Sequence, residues 1–228
     1  GNIVCDVGCD HGFVPIYLIR QGISPKVIAM DVNEGPLKRA REHIDEYGVE
    51  EYIETRLSDG LHSFREGEAD SLICAGMGGR LLMRILQEDD VKTASFKELI
   101  LQPQSELEQF RCFLRNQGYM IVDENIIEED GKFYPMMKAV KGEKERLNEL
   151  LWWQQMEDRY GAVLLQKKSI VLHRYLEKEK QTYEEILKKL NGHVADEDKK
   201  NSRYEEIQKK LRDCVCVMEY MKDGRCML

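Results

Sequence analysis

Residues 4–12 of this 228-residue chain read Val-Cys-Asp-Val-Gly-Cys-Asp-His-Gly and constrain the fold more than any other stretch. An apolar run stops at an acid, two glycines bracket a polar turn, and a helical pattern follows from Phe13 to about Gln21. A buried strand, a tight loop and a helix N-terminus in this order bind nucleotide-containing ligands in doubly wound α/β folds. A tight turn without any ligand is the structural alternative.

Apolar β-rich segments alternate with helical ones as far as residue 117. We predict strands at 4–7, 27–31, 52–57, 70–75 and 98–102, and helices at 13–21, 36–47, 80–87 and 105–117, the last with Ser105 as its N-cap. This alternation predicts a parallel sheet with helices on both faces. Residues 119–127 and 133–140, joined by a Gly-containing turn, predict a terminal hairpin. We therefore expect seven strands, six of them parallel and one antiparallel.

After Gly142 the sequence becomes helical, with apolar residues at heptad spacing. One seam comprises Leu165, Leu172 and Ile186 with Leu176, Tyr183 and Leu190; a second comprises Tyr204, Leu211 and Met218 with Ile207, Cys214 and Met221. Two such helices, separated by a polar break at Asn191-Gly192-His193, predict an antiparallel coiled-coil hairpin. We place the domains at 1–142 and 143–228. Because each helix covers the other's apolar stripe, we expect a monomer, with pairing between two chains as the alternative.

The net charge of −8 is unevenly distributed. Residues 141–228 carry 19 Lys and Arg against 17 Asp and Glu, so the acidic excess lies in the first domain. A polyanion would be attracted to the C-terminal part or to local basic patches. No apolar run approaches the ~20 residues of a membrane span, and no signal peptide is visible. Seven cysteines without a repeated C-x-x-C pair predict reduced thiols, no metal site and a cytoplasmic protein.

Acids and glycines follow the carboxyl ends of the first four predicted strands. The first loop lacks the G-x-G-x-x-G pattern that a dinucleotide pyrophosphate requires, and its acids suit a cationic ligand. Asp31 can accept hydrogen bonds from both hydroxyls of a ribose, and Asp59 can accept from an adenine amino group. The alternative for Asp31 is an acid that opposes a helix dipole.

These features fit S-adenosyl-L-methionine (SAM), which carries a sulfonium cation and an adenosine but no phosphate. A glycine-rich turn after the fourth strand lets the backbone approach a ligand closely, although the turn's own steric needs also explain it. We predict that SAM is bound by Asp6, Gly8, Cys9, Asp10, His11, Asp31, Val32, Asn33, Ser58, Asp59, Gly60, Ala75, Gly76, Met77 and Gly78.

The chain resembles the bacterial tRNA (adenine-22-N1)-methyltransferase family in an ordered set of motifs: Asp6-x-Gly8-x-Asp10-His11, Asp31-x-Asn33-x-Gly35-Pro36, Asp59-Gly60-Leu61, Ala75-Gly76-Met77-Gly78-Gly79 and Leu101-Gln102-Pro103. The resemblance covers about residues 2–140 and extends to the tail. It implies a Rossmann-like class I methyltransferase that uses SAM, releases S-adenosyl-L-homocysteine, and methylates N1 of an adenosine in the D-arm region of tRNA. One departure is Gly12-Phe13, where a small residue and a tyrosine are expected.

Adenine N1 carries an in-plane lone pair, so the predicted reaction depends on positioning and electrostatics and needs no base. Asp10 is our candidate for stabilising the cationic product ring. We predict that His11 orients Asp10 or holds the cofactor carboxylate, and that Gln102 binds the edge of the base. The predicted RNA-binding residues are Arg80 and Arg84 beside the site, and Lys167, Lys168, Arg174, Lys188, Lys189, Lys199 and Lys200 on the tail.

Three other functions are compatible with parts of this pattern. The first is a SAM-dependent methyltransferase of a small molecule or protein, which would not need the long tail. The second is a nicotinamide-dependent oxidoreductase, against which the missing G-x-G-x-x-G argues. The third is a non-enzymatic adaptor that uses the helical hairpin to bind a partner.

Overall fold

The computed structural model of the protein describes residues 1–142, 151–192 and 197–224. These residues form two compact units. The first unit comprises residues 1–125 and 134–142, and the second comprises residues 126–133, 151–192 and 197–224. The tip of the terminal hairpin thus belongs to the second unit, a feature that the sequence-based boundary at residue 142 does not include.

A seven-stranded sheet forms the first unit, with the strand order β3-β2-β1-β4-β5-β7-β6. Strands β1 to β5 pair in parallel, whereas β7 pairs with β5 in the antiparallel direction. This arrangement confirms the predicted mixed sheet. The strands are β1 (Val4–Val7), β2 (Val27–Asp31), β3 (Ile53–Leu57), β4 (Ser71–Met77), β5 (Glu98–Pro103), β6 (Tyr119–Glu129) and β7 (Lys132–Lys141).

Apolar side chains cover both faces of the sheet because alternate residues of each strand point to opposite sides. On β1 and β2, Cys5 and Ile28 belong to one buried cluster, whereas Val4 and Val27 belong to the other. Helices α1 (Phe13–Arg20) and α2 (Glu34–Glu46) cover the second cluster, and α3 (Gly79–Glu88) and α5 (Leu107–Asn116) cover the first. The sheet is therefore a rigid support for the loops at its carboxyl edge.

The helix boundaries near α5 correct two sequence-based expectations. A short helix, α4 (Asp90–Ser95), was not predicted; it begins where the Asp89 side chain accepts a hydrogen bond from Lys92 N. The prediction of Ser105 as an N-cap is wrong, because Glu106 holds that position with φ 51°. Ser105 Oγ instead accepts from Gly79 N at 3.2 Å, so a neighbouring loop uses the hydroxyl.

Four helices form most of the second unit: α6 (Leu151–Tyr160), α7 (Ala162–Gln166), α8 (Ile170–Gly192) and α9 (Glu197–Asp223). Helices α8 and α9 pack against each other, and their core includes Leu172, Leu176, Cys214 and Met221 from the two predicted seams. Ile207 of the second seam is also buried. The coiled-coil geometry itself stays a prediction. Ile126 of the hairpin tip belongs to the same core.

The start of the first predicted seam needs correction. Leu165 lies on α7, because the chain turns at Lys168 with φ 51° before α8 begins. Ser169 lies just before α8, and its Oγ accepts a hydrogen bond from Leu172 N at 3.3 Å. At the other end, α8 continues through the predicted break at Asn191 and Gly192, and His193 lies outside the described residues.

Glu179, a charged residue of α8, accepts hydrogen bonds within the unit. The hydroxyls of Tyr160 and Tyr183 donate to it at 2.7 and 2.8 Å, and Arg159 Nη2 lies 3.2 Å from its Oε1. A largely buried carboxylate is tolerated when its oxygens are satisfied in this way. Glu179 is therefore part of the packing of α6 against α8.

Three general properties follow from the described residues. No described helix has the length and apolar character that a membrane crossing requires. No group of His, Cys, Asp and Glu among these residues is arranged to hold a metal ion. The free cysteines are Cys5, Cys9, Cys74, Cys112 and Cys214, whereas Cys216 is disulfide-bonded, so the prediction of reduced thiols is wrong for Cys216.

Candidate functional site

The candidate site lies where the chain order of the strands reverses. Because β1 lies between β2 and β4, the loops that follow these three strands meet at one edge of the sheet. The loop after β1 is bonded directly to the end of β2, since the N–H groups of Gly8 and Cys9 donate to Met30 O at 2.8 and 2.9 Å. Ligands of open α/β sheets bind in this crevice.

Asp31 is the centre of the hydrogen bonds between the first two loops. It is a buried carboxylate, only 7% exposed, at the end of β2. Oδ1 accepts from Asn33 N at 2.8 Å, and Oδ2 accepts from Asp10 N at 3.2 Å. Since each carboxylate oxygen can accept two hydrogen bonds, both retain capacity for the hydroxyls of a ligand.

Asp6 is a second buried carboxylate beneath the same loop. Burial and, as the smaller cause, the nearby charge of Asp31 together raise the pKa of Asp6 to about 7. A proton or a cation near Asp6 relieves the cost of two like charges in a dry environment. This part of the site therefore favours a positively charged group over an anion.

The loop from Gly8 to Gly12 has a backbone that few residues can adopt. Gly12 has φ 76°, and a Cβ atom added to it would lie 3.1 Å from Ala40 Cβ on α2. Glycine is therefore required both for the turn and for the close packing of α2. Asp10 also has a positive φ, 48°, and its side chain is 70% exposed. The loop consequently presents this carboxylate to solvent at the edge of the site.

His11 contacts residues on both sides of the loop. Its Nε2 lies 3.4 Å from Asp10 Oδ1 and 3.5 Å from Arg39 Nη1. His43 Nδ1 is hydrogen-bonded to the His11 carbonyl oxygen at 2.9 Å. The sequence interpretation missed Arg39 and His43, although their spacing of four residues places them on the same face of α2.

The glycine-rich end of β4 is joined to the end of β5 and to the loop that follows it. Gly76 N donates to Gln102 Oε1 at 2.7 Å, and Gln104 N donates to Met77 O at 2.9 Å. A Cβ atom on Gly79 would lie 2.4 Å from Ser105 O, so the two loops pack without space for a side chain. The Gln102 side-chain oxygen thus holds the end of β4. Its amide nitrogen lies 3.5 Å from Pro103 O, which is a long distance for a hydrogen bond.

Residues after β3 complete the predicted cofactor set. Ser58 is buried; its Oγ donates to Gly60 O at 2.9 Å and accepts from Ser63 N at 3.0 Å. Asp59 Oδ1 forms an ion pair with Arg84 Nη2 at 2.9 Å. The Ser58 side chain therefore stabilises its own loop. A ligand that binds Asp59 contacts a carboxylate that is also paired with the Arg84 guanidinium. Val32 and Asn33, on the loop after β2, are exposed.

Several of the predicted RNA-binding cations already have carboxylate partners. Arg84 also lies 3.4 Å from Glu88, Arg174 lies 2.8 Å from Glu128, and Arg80, although 86% exposed, lies 3.5 Å from Glu106. Lys167, Lys168, Lys188 and Lys189 are exposed, and the side chains of Lys199 and Lys200 lie outside the described part of the chain.

The exposed lysines of the second unit do not form one patch. Lys167 and Lys168 precede α8, whereas Lys188 and Lys189 lie near its end. At 1.5 Å per helical residue these two pairs are separated by roughly 30 Å. A single ligand can therefore contact both pairs at the same time only if it is an extended polyanion.

Comparison with known proteins identifies relatives over nearly the whole chain. The family model described as tRNA (adenine(22)-N(1))-methyltransferase matches residues 4–215. A curated protein with that name from Bacillus subtilis (strain 168) is 34% identical over 145 residues, which are 64% of this chain and 61% of the relative. The match thus spans about three fifths of this curated relative.

Solved structures extend the similarity to both units. The crystal structure of the B. subtilis m1A22 tRNA methyltransferase superposes with a TM-score of 0.82 at 28% identity, covering 96% of this chain and 92% of that one. A Streptococcus pneumoniae protein in complex with SAM has the same TM-score at 32% identity, with coverage of 96% and 92%.

Proposed function

Because this chain belongs to the tRNA (adenine(22)-N(1))-methyltransferase family, we propose that it transfers the methyl group of SAM to N1 of adenosine 22 in tRNA. The products are 1-methyladenosine and S-adenosyl-L-homocysteine. The observation that carries this proposal is the pair of acids Asp31 and Asp6 around the first loop, at the edge where β1 lies between β2 and β4. A hydrogen-bond acceptor for a ribose beside a site for a cation matches the ribose and the sulfonium of SAM.

The residues of the site divide the work of binding. Asp31 accepts from the ribose hydroxyls, and Asp6 lies below the loop as a compensating charge for a cationic ligand. Asp59 accepts from the adenine amino group while it remains paired with Arg84. When bound, SAM supplies an electrophilic methyl group on a sulfonium sulfur. In the stretch from Gly76 to Gly79 only Met77 has a side chain, and its Cε lies against Gly8 of the first loop. The three glycines leave room for a flat base to approach the methyl group.

The methyl transfer forms an N–C bond at adenine N1 and breaks the C–S bond of the donor. The electron pair of that bond stays on sulfur, and the positive charge moves to the adenine ring. A carboxylate beside the ring stabilises this charge, and Asp10 is the exposed acid of the cofactor loop. His11 lies close enough to orient Asp10, and the amide nitrogen of Gln102 is a donor for the base.

Product analysis tests this function. The protein is incubated with SAM and unmodified total tRNA, and the digested nucleosides are analysed for 1-methyladenosine. A tRNA with guanosine at position 22 serves as the control and is expected to remain unmodified. If SAM binds but no 1-methyladenosine forms, the enzyme acts on a different substrate, which is the small-molecule or protein methyltransferase considered from the sequence.

SAM affinity is expected to rise with pH around neutrality because of Asp6. In the ligand-free protein the pKa of Asp6 is about 7, so below this pH the carboxyl must lose its proton to compensate a cation. Binding should strengthen by up to about tenfold per pH unit below 7 and level off above it. Calorimetric titration between pH 6 and 8 measures this, with Asp6→Asn expected to flatten the profile. An equal slope in both proteins would exclude Asp6 as the cause.

We also propose that the second unit binds the body of the tRNA through its exposed lysines. Replacing both Lys188 and Lys189 by glutamine should weaken tRNA binding several-fold and lower the slope of log K against log salt by about one to two. Lys209 and Lys210 on α9 are the matched control, because their replacement removes the same charge at a position not predicted to bind. Equal losses of tRNA affinity in the two double variants would mean that the net charge of the protein, and not a contact of Lys188 and Lys189, determines binding.

Point substitutions test this unit better than removal of the tail. Ile126 and Phe133 of the hairpin tip pack with Leu172 and Met221 of the helices. A chain cut after residue 142 would expose these apolar side chains, so lost tRNA binding could reflect misfolding.

A further inference from the structure

Three aromatic rings lie together beside the cofactor loop. The Phe13 ring stacks on His43, with centroids 4.8 Å apart and planes inclined by 24°. His11 lies next to both, with centroids 6.2 Å from Phe13 and 5.9 Å from His43. The rings come from the loop after β1, the first residue of α1 and the last turn of α2. In this cluster, which we call the ring platform, tertiary structure brings His43 of α2 to His11 and Phe13, which are close in the chain.

The ring platform is open to solvent although its central member is apolar. Phe13 is 56% exposed, whereas His11 and His43 are partly buried. Tyr17, one turn further along α1, is equally exposed at 58%, but it has no ring contact with another described residue. An exposed phenylalanine that is held by two imidazoles presents a flat apolar face, which is the surface that a nucleobase requires for stacking.

Hydrogen bonds and packing fix the orientation of the ring platform. His43 Nδ1 bonds to the His11 carbonyl oxygen at 2.9 Å, so its ring cannot rotate freely. On the same helix, Ala40 packs closely against Gly12, where an added Cβ atom would lie only 3.1 Å from Ala40 Cβ. A rigid platform loses little conformational entropy when a base binds, which favours affinity.

Arg39 supplies a positive charge beside these rings. Its only recorded polar contact within the described chain is His11 Nε2 at 3.5 Å, and no described carboxylate lies within ion-pair distance of it. Arg41 and Arg84, by contrast, pair with Glu34 and Asp59 at 2.9 Å. Arg39 is therefore a guanidinium near the site whose charge is not compensated by a carboxylate. Such a group suits a phosphate oxygen, to which it can donate two parallel hydrogen bonds.

We propose that the ring platform stacks an unpaired nucleobase of the tRNA that adjoins the target adenosine, while Arg39 binds the phosphate of that nucleotide. This inference rests on the proposed function. Methylation at N1 needs a free Watson–Crick edge, so the target and its neighbour must leave their normal stack. Because the ring platform includes His11, which directly follows Asp10 in the chain, it can replace part of the stacking that the RNA loses beside the target base. The free energy of this stacking thus helps to place the target adenosine in the site.

The test compares Phe13→Ala with Phe13→Trp and with Tyr17→Ala as the matched control. We expect Phe13→Ala to weaken tRNA binding by about 5- to 150-fold, the range that corresponds to loss of one stacked base. Phe13→Trp should retain the affinity, and Tyr17→Ala should be unchanged. SAM affinity should be the same in all of these variants. Binding is measured by fluorescence anisotropy with labelled tRNA and by calorimetry with SAM.

Further variants examine His43 of the ring platform and Arg39 beside it. His43→Ala should weaken tRNA binding, and His43→Phe should restore part of the loss because a ring remains. Arg39→Gln should lower the salt slope of tRNA binding by about one, the value for one lost phosphate contact, without affecting SAM. A salt slope equal to that of the wild type would remove Arg39 from the contact.

The outcomes separate this inference from the proposed function. Unchanged tRNA affinity of Phe13→Ala, in a wild-type background that forms 1-methyladenosine, overturns the ring platform and leaves the function intact. A loss of SAM affinity in Phe13→Ala overturns it as well, because the rings would then hold the adenine of the cofactor. A wild-type protein that neither binds nor methylates tRNA overturns both.

Discussion

Replacing Asp31 by alanine is expected to lower the affinity for SAM by about 100-fold or more. The change removes the acceptor for the ribose hydroxyls, and each hydrogen bond to a charged group contributes roughly 1.5–3 kcal/mol. It also leaves the N–H groups of Asn33 and Asp10 without their acceptor, which loosens both loops. Isothermal titration calorimetry with SAM measures the loss.

Asp45→Ala is the matched control for this experiment. Asp45 is an exposed acid on α2, so its removal changes the net charge equally but should leave SAM binding unchanged. Thermal melting of both variants shows whether the fold is retained. If Asp31→Ala is folded and binds SAM as the wild type does, Asp31 is not the ribose acceptor, and the proposed orientation of the cofactor is wrong.

Replacing Asp10 by asparagine is expected to lower kcat on the order of 100-fold and to leave SAM affinity nearly unchanged. The neutral amide cannot stabilise the positive charge that develops on the adenine ring, and preorganised electrostatic groups contribute rate factors of about this size. Asparagine is preferable to alanine here, because Asp10 has φ 48° and asparagine tolerates the left-handed region. Single-turnover measurements with saturating tRNA isolate the chemical step.

A second variant decides between a direct and an indirect role of this acid. His11→Gln keeps a polar side chain beside Asp10 but removes the imidazole, and it should reduce kcat less than Asp10→Asn does if His11 only orients the carboxylate. Equal losses in both variants would mean that the two residues act as one unit. An Asp10→Asn enzyme with wild-type kcat would remove Asp10 from the mechanism.

The succession of strands along the chain and the position of the acids were predictable because they depend on local spacing. Val4–Val7 and Val27–Asp31 are short apolar runs that end at a polar residue, and parallel strands place such ends at one edge. The family resemblance, carried by motifs at these same strand ends, is confirmed by the match over residues 4–215. The helix seams were predictable for the same reason, since heptad spacing is a local pattern.

Partners far apart in the sequence were not predictable. The binding of the base by Gln102 stays a prediction, but the sequence did not indicate that its oxygen accepts from Gly76 N, 26 residues away. Ser105 was expected to cap its own helix, but it accepts from Gly79 N. In both positions the side chain satisfies a backbone group of the neighbouring loop, because an unpaired N–H in a close-packed turn is costly. A single sequence contains no signal for such a pairing.

The sequence by itself determined the mainly parallel α/β sheet, the loop proposed to bind the cofactor and the acids at the strand ends, because each is encoded in a few consecutive residues. Tertiary structure alone decided which charges remain available. It pairs Arg84 with Asp59 and leaves Arg39 beside the rings of Phe13 and His43, although all of these residue types are equally visible in the sequence. The reason is that Coulomb and stacking interactions act over a few ångströms, and only folding brings distant residues to that range.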